Sequence, residues 1–254
     1  MTTSELKPTE TLLRAIEESR AALAGNPDNA ELRFRLAFAL ESHGDINDAI
    51  KEYQAVLVRD PSYVWAYNNL GVPYAKKGLY EEAIGKFGEA LFRDLQHETA
   101  RFNSSLIFRK TGEFDAAARQ FQLVLKADPK HAEAHASLGQ ILVDQGAVDQ
   151  TIEHYREAIA LKPQFGAGHR SLAKALKKKG DVKGAVAEYR SAVGLMPQDS
   201  LLRYEFAQAL EANGAQAEAV EELRRFLVIH PNQPDQREFR RGAEARLRAL
   251  GAKP

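Results

Sequence analysis

Cysteine is absent from the 254-residue chain, which excludes disulfides, thiol nucleophiles and cysteine-based zinc sites. Long apolar runs are absent too: no stretch approaches ~18 uninterrupted apolar residues. The opening MTTSELKPTE has no apolar segment of the kind an export signal carries. No membrane association is therefore expected, and the expected location is cytoplasmic. An excess of one charge is also missing, with 35 basic residues against 35 acidic ones. That balance argues against the basic footprint of a nucleic-acid binder. Neither a phosphate-binding loop, nor GxSxG, nor HExxH, nor a strand-turn-helix GxGxxG occurs. We expect no catalytic residues, no cofactor and no metal centre.

What the chain does have is a proline that returns every 34 residues, at Pro27, Pro61, Pro129, Pro163, Pro197 and Pro231, with Leu95 at the one missing beat. With that proline at position 32, six full repeats begin at Ala30, Val64, Glu98, Ala132, Gly166 and Ser200. Position 15 is then always glycine: Gly44, Gly78, Gly112, Gly146, Gly180 and Gly214. Position 20 is Ala49, Ala83, Ala117, Thr151, Ala185 and Ala219, and position 24 is Tyr53, Phe87, Phe121, Tyr155, Tyr189 and Leu223. Each repeat thus reads as two helices. The glycine adopts the left-handed backbone that ends the first helix and reverses the chain, and the proline stops the second. Small alanines let the backbones approach while the aromatic fills the gap between them. No such pair buries its apolar face alone, so neighbours must stack.

These residues, most clearly AYNNLGVPYAKKGLYEEAIGKFGEAL in the second repeat, resemble the tetratricopeptide repeat (TPR) family. The resemblance implies an all-α, right-handed superhelical solenoid with capping helices. The expected organisation is an N-terminal capping helix within 1–29, six repeats (30–63, 64–97, 98–131, 132–165, 166–199 and 200–233) and a C-terminal capping helix within 234–254. The unbroken period points to one continuous array. The leading helix, at 9–24, carries Ala15 and Ala22 at positions 20 and 27. The closing one carries Phe239, Ala243, Leu247 and Leu250 on one face.

In the family, positions 2, 5, 6, 9, 12 and 13 of the first helices line a concave groove. Read one by one, they give Phe34, Phe38 and Glu41, then Trp65, Asn68, Asn69 and Val72, then Phe102, Asn103, Leu106 and Arg109. This is an apolar groove with amides in it, and a side-chain amide both donates to and accepts from an extended peptide backbone. Arg170 and Lys174 lie in a basic fifth repeat, with seven basic residues against three acidic, where they suit an acidic part of a partner. The carboxylate clamp of chaperone-tail readers is not matched, since Phe34 and Phe38 occupy its first two slots. His131 and His135 lie four apart and could chelate a metal, but no third ligand is apparent nearby. Pro73 within a first helix, Leu95 for proline, and Ser104-Ser105 for Leu-Gly predict altered curvature beside the aromatic groove.

The expected function is that of a non-catalytic scaffold or adaptor that takes a protein or peptide segment in its groove. The contact set is Phe34, Phe38, Trp65, Asn68, Asn69, Val72, Phe102, Asn103, Leu106, Arg170 and Lys174. The alternatives are a self-assembling structural array, with homo-oligomers built through apolar grooves or end helices, and a regulatory or substrate-presenting subunit of an enzyme on another chain.

Overall fold

Seven glycines, the six at position 15 and Gly251, have positive φ, and the first six set the topology of the chain. At Gly44 (φ 104) the backbone turns left-handed, and the Gly44 and Asp45 amides both return to the Leu40 carbonyl, at 3.0 and 2.9 Å. This closes the first helix and sends the chain back antiparallel. The computed structural model describes residues 8–229 and 237–253. Among them are fourteen helices and no strand. They are α1 (Pro8–Gly25), α2 (Ala30–His43), α3 (Ile46–Arg59), α4 (Val64–Lys76), α5 (Tyr80–Arg93), α6 (Glu98–Thr111), α7 (Phe114–Ala127), α8 (Ala132–Asp144), α9 (Val148–Leu161), α10 (Gly166–Lys179), α11 (Val182–Leu195), α12 (Ser200–Ala212), α13 (Gln216–Ile229) and α14 (Arg237–Ala249). The described residues up to Ala127, with α1 to α7, form one compact unit, and those from Asp128 onward, with α8 to α14, form another.

Within every helix pair a small side chain meets a large one. Position 8 is Ala37, Gly71, Ser105, Gly139, Ala173 or Ala207, all buried. The facing position 24 is buried as well, with Tyr53, Phe121 and Leu223 fully enclosed. A Cβ on Gly71 would lie 2.5 Å from the Phe87 ring, and one on Gly139 would lie 3.3 Å from Tyr155. The aromatic therefore occupies the space a side chain would need.

A second contact ties each pair to the loop before it. In repeat 1, Arg33 donates to Glu52 on the second helix (2.6 Å) and to the Pro27 carbonyl (2.8 Å). Arg203 does the same with Glu222 (2.7 Å) and the Pro197 carbonyl (2.9 Å), and Arg101 with Gln120 (3.0 Å) and the Leu95 carbonyl (2.6 Å). His169 bridges Glu188 and the Pro163 carbonyl. In repeat 2 the cation comes from elsewhere: Arg93 stacks 4.0 Å above the Tyr67 ring and donates to Tyr67 Oη and the Pro61 carbonyl. A loop carbonyl that would otherwise rely on water is thereby held by a side chain.

The three irregularities between repeats 2 and 3 are each absorbed. Helix α4 continues through the buried Pro73, whose carbonyl accepts from Lys77. Helix α5 ends at Arg93 without a proline, because Asp94 Oδ1 accepts from the Gln96 amide (2.9 Å) and folds the chain into a turn. Ser104 and Ser105 are buried with both hydroxyls donating to the Arg101 carbonyl, so neither hydroxyl is left unpaired.

At the ends, α1 buries Ile16 and Leu23 against α2, while Ala22 is exposed. In the complete pairs position 27 is buried (Val56, Ala90, Val124, Ala158, Ala192 and Phe226), and no helix precedes α1 among the described residues. Helix α14 buries Ala243 and Leu247, leaving Phe239 exposed.

Two glycine substitutions separate the close approach from helix propensity. Gly85, inside α5, has nothing within 4 Å of the point where a Cβ would stand, so Gly85→Ala is expected to stabilise by about 0.5–1 kcal/mol. Gly71→Ala gains the same propensity but strikes the Phe87 ring, and overpacking of about 1–3 kcal/mol makes its net effect destabilising. Urea unfolding of the two variants reads the opposite signs.

Candidate functional site

The first helices of unit 1, α2, α4 and α6, carry the residues expected to face a partner, and the structure sorts them into three groups. Phe38 and Trp65 are open, at 55% and 54% exposure. Phe34, Asn69, Val72, Phe102, Asn103 and Leu106 are half-buried. Asn68, expected as a contact, is 2% exposed and has a different task. Phe34 packs on the Tyr53 and Tyr63 rings, with centroids 5.6 and 5.1 Å away, and Phe102 meets Phe121 edge-on at 5.7 Å. These two are anchored by the core on one side. Trp65 stands edge-on to His97 at 4.5 Å, which fixes the indole while leaving about half of it in solvent.

The amides form a chain. Asn103 Nδ2 donates to Asn68 Oδ1 (3.1 Å), and Asn68 Nδ2 donates to Asn69 Oδ1 (2.8 Å). Asn69 hydrogen-bonds the Tyr53 hydroxyl, which donates to Glu41 (3.2 Å), and Glu41 accepts from Lys76 (2.7 Å). Burial, reinforced by the Glu41 carboxylate, pushes the Tyr53 hydroxyl well above its ordinary pKa, so it stays a donor. The buried Asn68 is therefore the relay that orients the two flanking amides. An asparagine side chain offers two N–H groups and two lone pairs, and the bonds of this chain use only part of that capacity at Asn69 and Asn103. One turn beyond Leu106 on α6, Arg109 has a buried Nε with no partner.

Beside this face, between α1 and α2, lies a groove of about 520 Å³ lined by Leu12, Ala15, Ala22, Phe34 and Phe38 among others. The exposed Ala22 and the open Phe38 meet there. The sequence signal for this groove was Ala22: a residue suited to close helix contact on a face of α1 that α2 leaves open.

In unit 2 the two expected cationic contacts are engaged internally. Arg170 donates to both Glu205 oxygens (2.8 and 2.9 Å) and to Asp199 (3.0 Å), and Lys174 pairs with Glu205 at 2.9 Å. Burial alone would raise the Glu205 pKa, but the hydrogen bonds from Arg170 and Lys174 outweigh it and hold the carboxyl below its usual range. Glu205 is thus the group that neutralises the cations beside it. His131 and His135 do not converge either: His131 Nδ1 caps α8 by accepting from the Ala134 amide (3.3 Å). Among the described residues, no group of three or more His, Asp or Glu side chains could hold a metal, and no described helix is long and apolar enough to cross a membrane.

The chain belongs to the tetratricopeptide repeat family, whose pattern matches residues 102–164 and 170–234, with a further TPR repeat matched at 42–78. The fold is that of a protein-interaction scaffold. Among solved structures it is similar to MamA, with 26% identity and a TM-score of 0.58 over 64% of this chain and 95% of that one. It also resembles PilF of Pseudomonas aeruginosa (15% identity, TM-score 0.73, 89% and 99% of the two chains). A third is YrrB, described as a TPR protein with an unusual peptide-binding site (22% identity, TM-score 0.60, 79% and 100%). No curated protein matches the sequence.

The Glu205 pair gives a pH test. A depressed carboxyl pKa contributes stability that is present above the unfolded value of about 4.3 and is lost as pH falls through the folded one. Glu205→Gln is therefore expected to lower the urea midpoint at pH 7, with the difference from the parent protein shrinking as the pH falls below the unfolded value. Denaturant titrations at pH 7 and at a series of lower pH values check it.

Proposed function

We propose that unit 1 binds an extended protein or peptide segment along α2, α4 and α6, and that the protein is a non-catalytic adaptor working in the cytoplasm. The observation that carries this reading is the Asn103–Asn68–Asn69 chain. A polar relay that holds two half-buried amides in fixed orientation suits the reading of a peptide backbone, whose N–H and C=O groups repeat along the strand. Phe38 and Trp65 flank it as exposed apolar surface, which soluble proteins seldom keep without use. Val72, Phe102 and Leu106 supply apolar walls. Ordering these side chains costs little on binding, because core contacts and hydrogen bonds already hold most of them.

Arg170 and Lys174 stand apart from this set. An acidic group of a partner would have to displace Glu205 from a bidentate pair before reaching Arg170, so charge selection is a secondary feature of the reading. The groove between α1 and α2 favours a second reading, in which a helix of another copy fills it and the protein self-assembles.

Affinity capture with the intact protein and with a Trp65→Ala/Asn69→Ala/Asn103→Ala variant tests the proposal, with circular dichroism confirming that the variant folds. Each lost hydrogen bond costs about 1 kcal/mol and the indole more, so a partner held by this face is expected to drop at least ~30-fold in affinity. Equal capture by both forms refutes the assignment, and a mass that rises with concentration in the intact protein alone supports self-assembly instead.

A further inference from the structure

We propose that His135 and His154 form a binding site for a divalent late-transition-metal ion of the Cu²⁺ or Ni²⁺ class, with their Nδ1 atoms as the two protein ligands and water completing the coordination. The place is the contact between position 4 and position 23 that every repeat makes. Repeats 1, 5 and 6 set Arg33, His169 and Arg203 against the carboxylates of Glu52, Glu188 and Glu222. Repeat 3 uses Gln120, and repeat 2 sets Lys86 over Tyr67. Repeat 4 differs from all of these. It sets two imidazoles face to face on α8 and α9, with Nδ1 atoms 3.0 Å apart and ring planes tilted by 41°. No acid answers a base there.

The tautomers follow from the neighbouring carbonyl. Pro129 O can only accept, and His135 Nε2 lies 3.1 Å from it, so the neutral His135 carries its proton on Nε2 and aims an Nδ1 lone pair at His154. His154 in turn donates from Nδ1. When a metal enters, that proton passes through solvent to His154 Nε2, both rings stay neutral, and both Nδ1 lone pairs face the ion. The His135 Nε2–H to Pro129 bond is then the outer contact that metal-binding histidines characteristically make.

The spacing selects the metal. With metal–nitrogen bonds of about 2.0–2.1 Å, ligands at a right angle stand about 2.9 Å apart and tetrahedral ones about 3.4 Å. The observed 3.0 Å matches the separation of right-angled ligands, as Cu²⁺ and Ni²⁺ take them, and each ring then turns so that its lone pair leaves the N···N line and points at the ion. Glu153 and Glu157, next to and one turn from His154 on α9, add the negative potential a cation favours. His131 is turned away as the α8 cap.

The test is calorimetric titration of the tag-free chain with NiCl₂ and CuCl₂ at pH 7.5, with nitrogen hyperfine structure in the Cu²⁺ paramagnetic resonance spectrum as a second readout. Three variants accompany it. His135→Arg/His154→Glu copies the Arg203–Glu222 arrangement and so retains a clamp, His154→Gln removes one ligand with little change of size, and His131→Gln removes the bystander. The expected result is one equivalent bound by the parent and by His131→Gln, two-imidazole hyperfine structure, Ni²⁺ held more tightly than Zn²⁺, and at least a tenfold loss of affinity in the other two variants. Absence of saturable binding by the parent, binding unchanged in the double variant or in His154→Gln, or loss in His131→Gln each overturns the proposal.

Discussion

The fold depends on one close approach, that of a small residue at position 8 to a large one at position 24 of the same helix pair. Because Gly71 and Gly139 leave no Cβ in the way, Phe87 and Tyr155 can lie against the backbone of the facing helix. Dispersion and burial there are gained over whole rings. Alanine at position 20 then allows the second helix to sit close, and the left-handed glycine at position 15 makes the reversal short enough for both contacts to form. Remove the close approach and each pair spreads, exposing the apolar edges on which its neighbours stack.

That constraint was legible because it restricts size and backbone conformation at fixed intervals. The starts of α2, α4, α6, α8, α10 and α12 fall at residues 30, 64, 98, 132, 166 and 200, where the proline-set period puts the repeats. What was not legible depends on pairing between side chains of changing identity. Position 4 is Arg, Tyr, Arg, His, His and Arg down the chain, a sequence with no visible rule until the position 23 partners and the loop carbonyls are seen together. Likewise Leu95 looked like a lost stop signal, yet Asp94 performs the stop with its side chain.

The candidate site shows the same division. Its location on α2, α4 and α6 came from periodicity, since residues three and four apart share a helix face. The roles within it did not. Asn68 differs from Asn69 by one position, about 100° around the helix, enough to turn a contact into a buried relay. Arg170 and Lys174 read as free cations, because nothing in a linear pattern says that Glu205, 35 residues after Arg170, lies within 2.8 Å. Charges one period apart face each other across the stacking interface, so in such an array a cation is best judged together with the residue one repeat away.

The central claim is that the face of α2, α4 and α6 in unit 1 is where a partner lies. Hydrogen–deuterium exchange on the complex with a captured partner tests it most directly. The account predicts slowed exchange in α2, α4 and α6, with the amides of α3, α5 and α7 unchanged. Protection confined to α3, α5 and α7, or to unit 2, would contradict it.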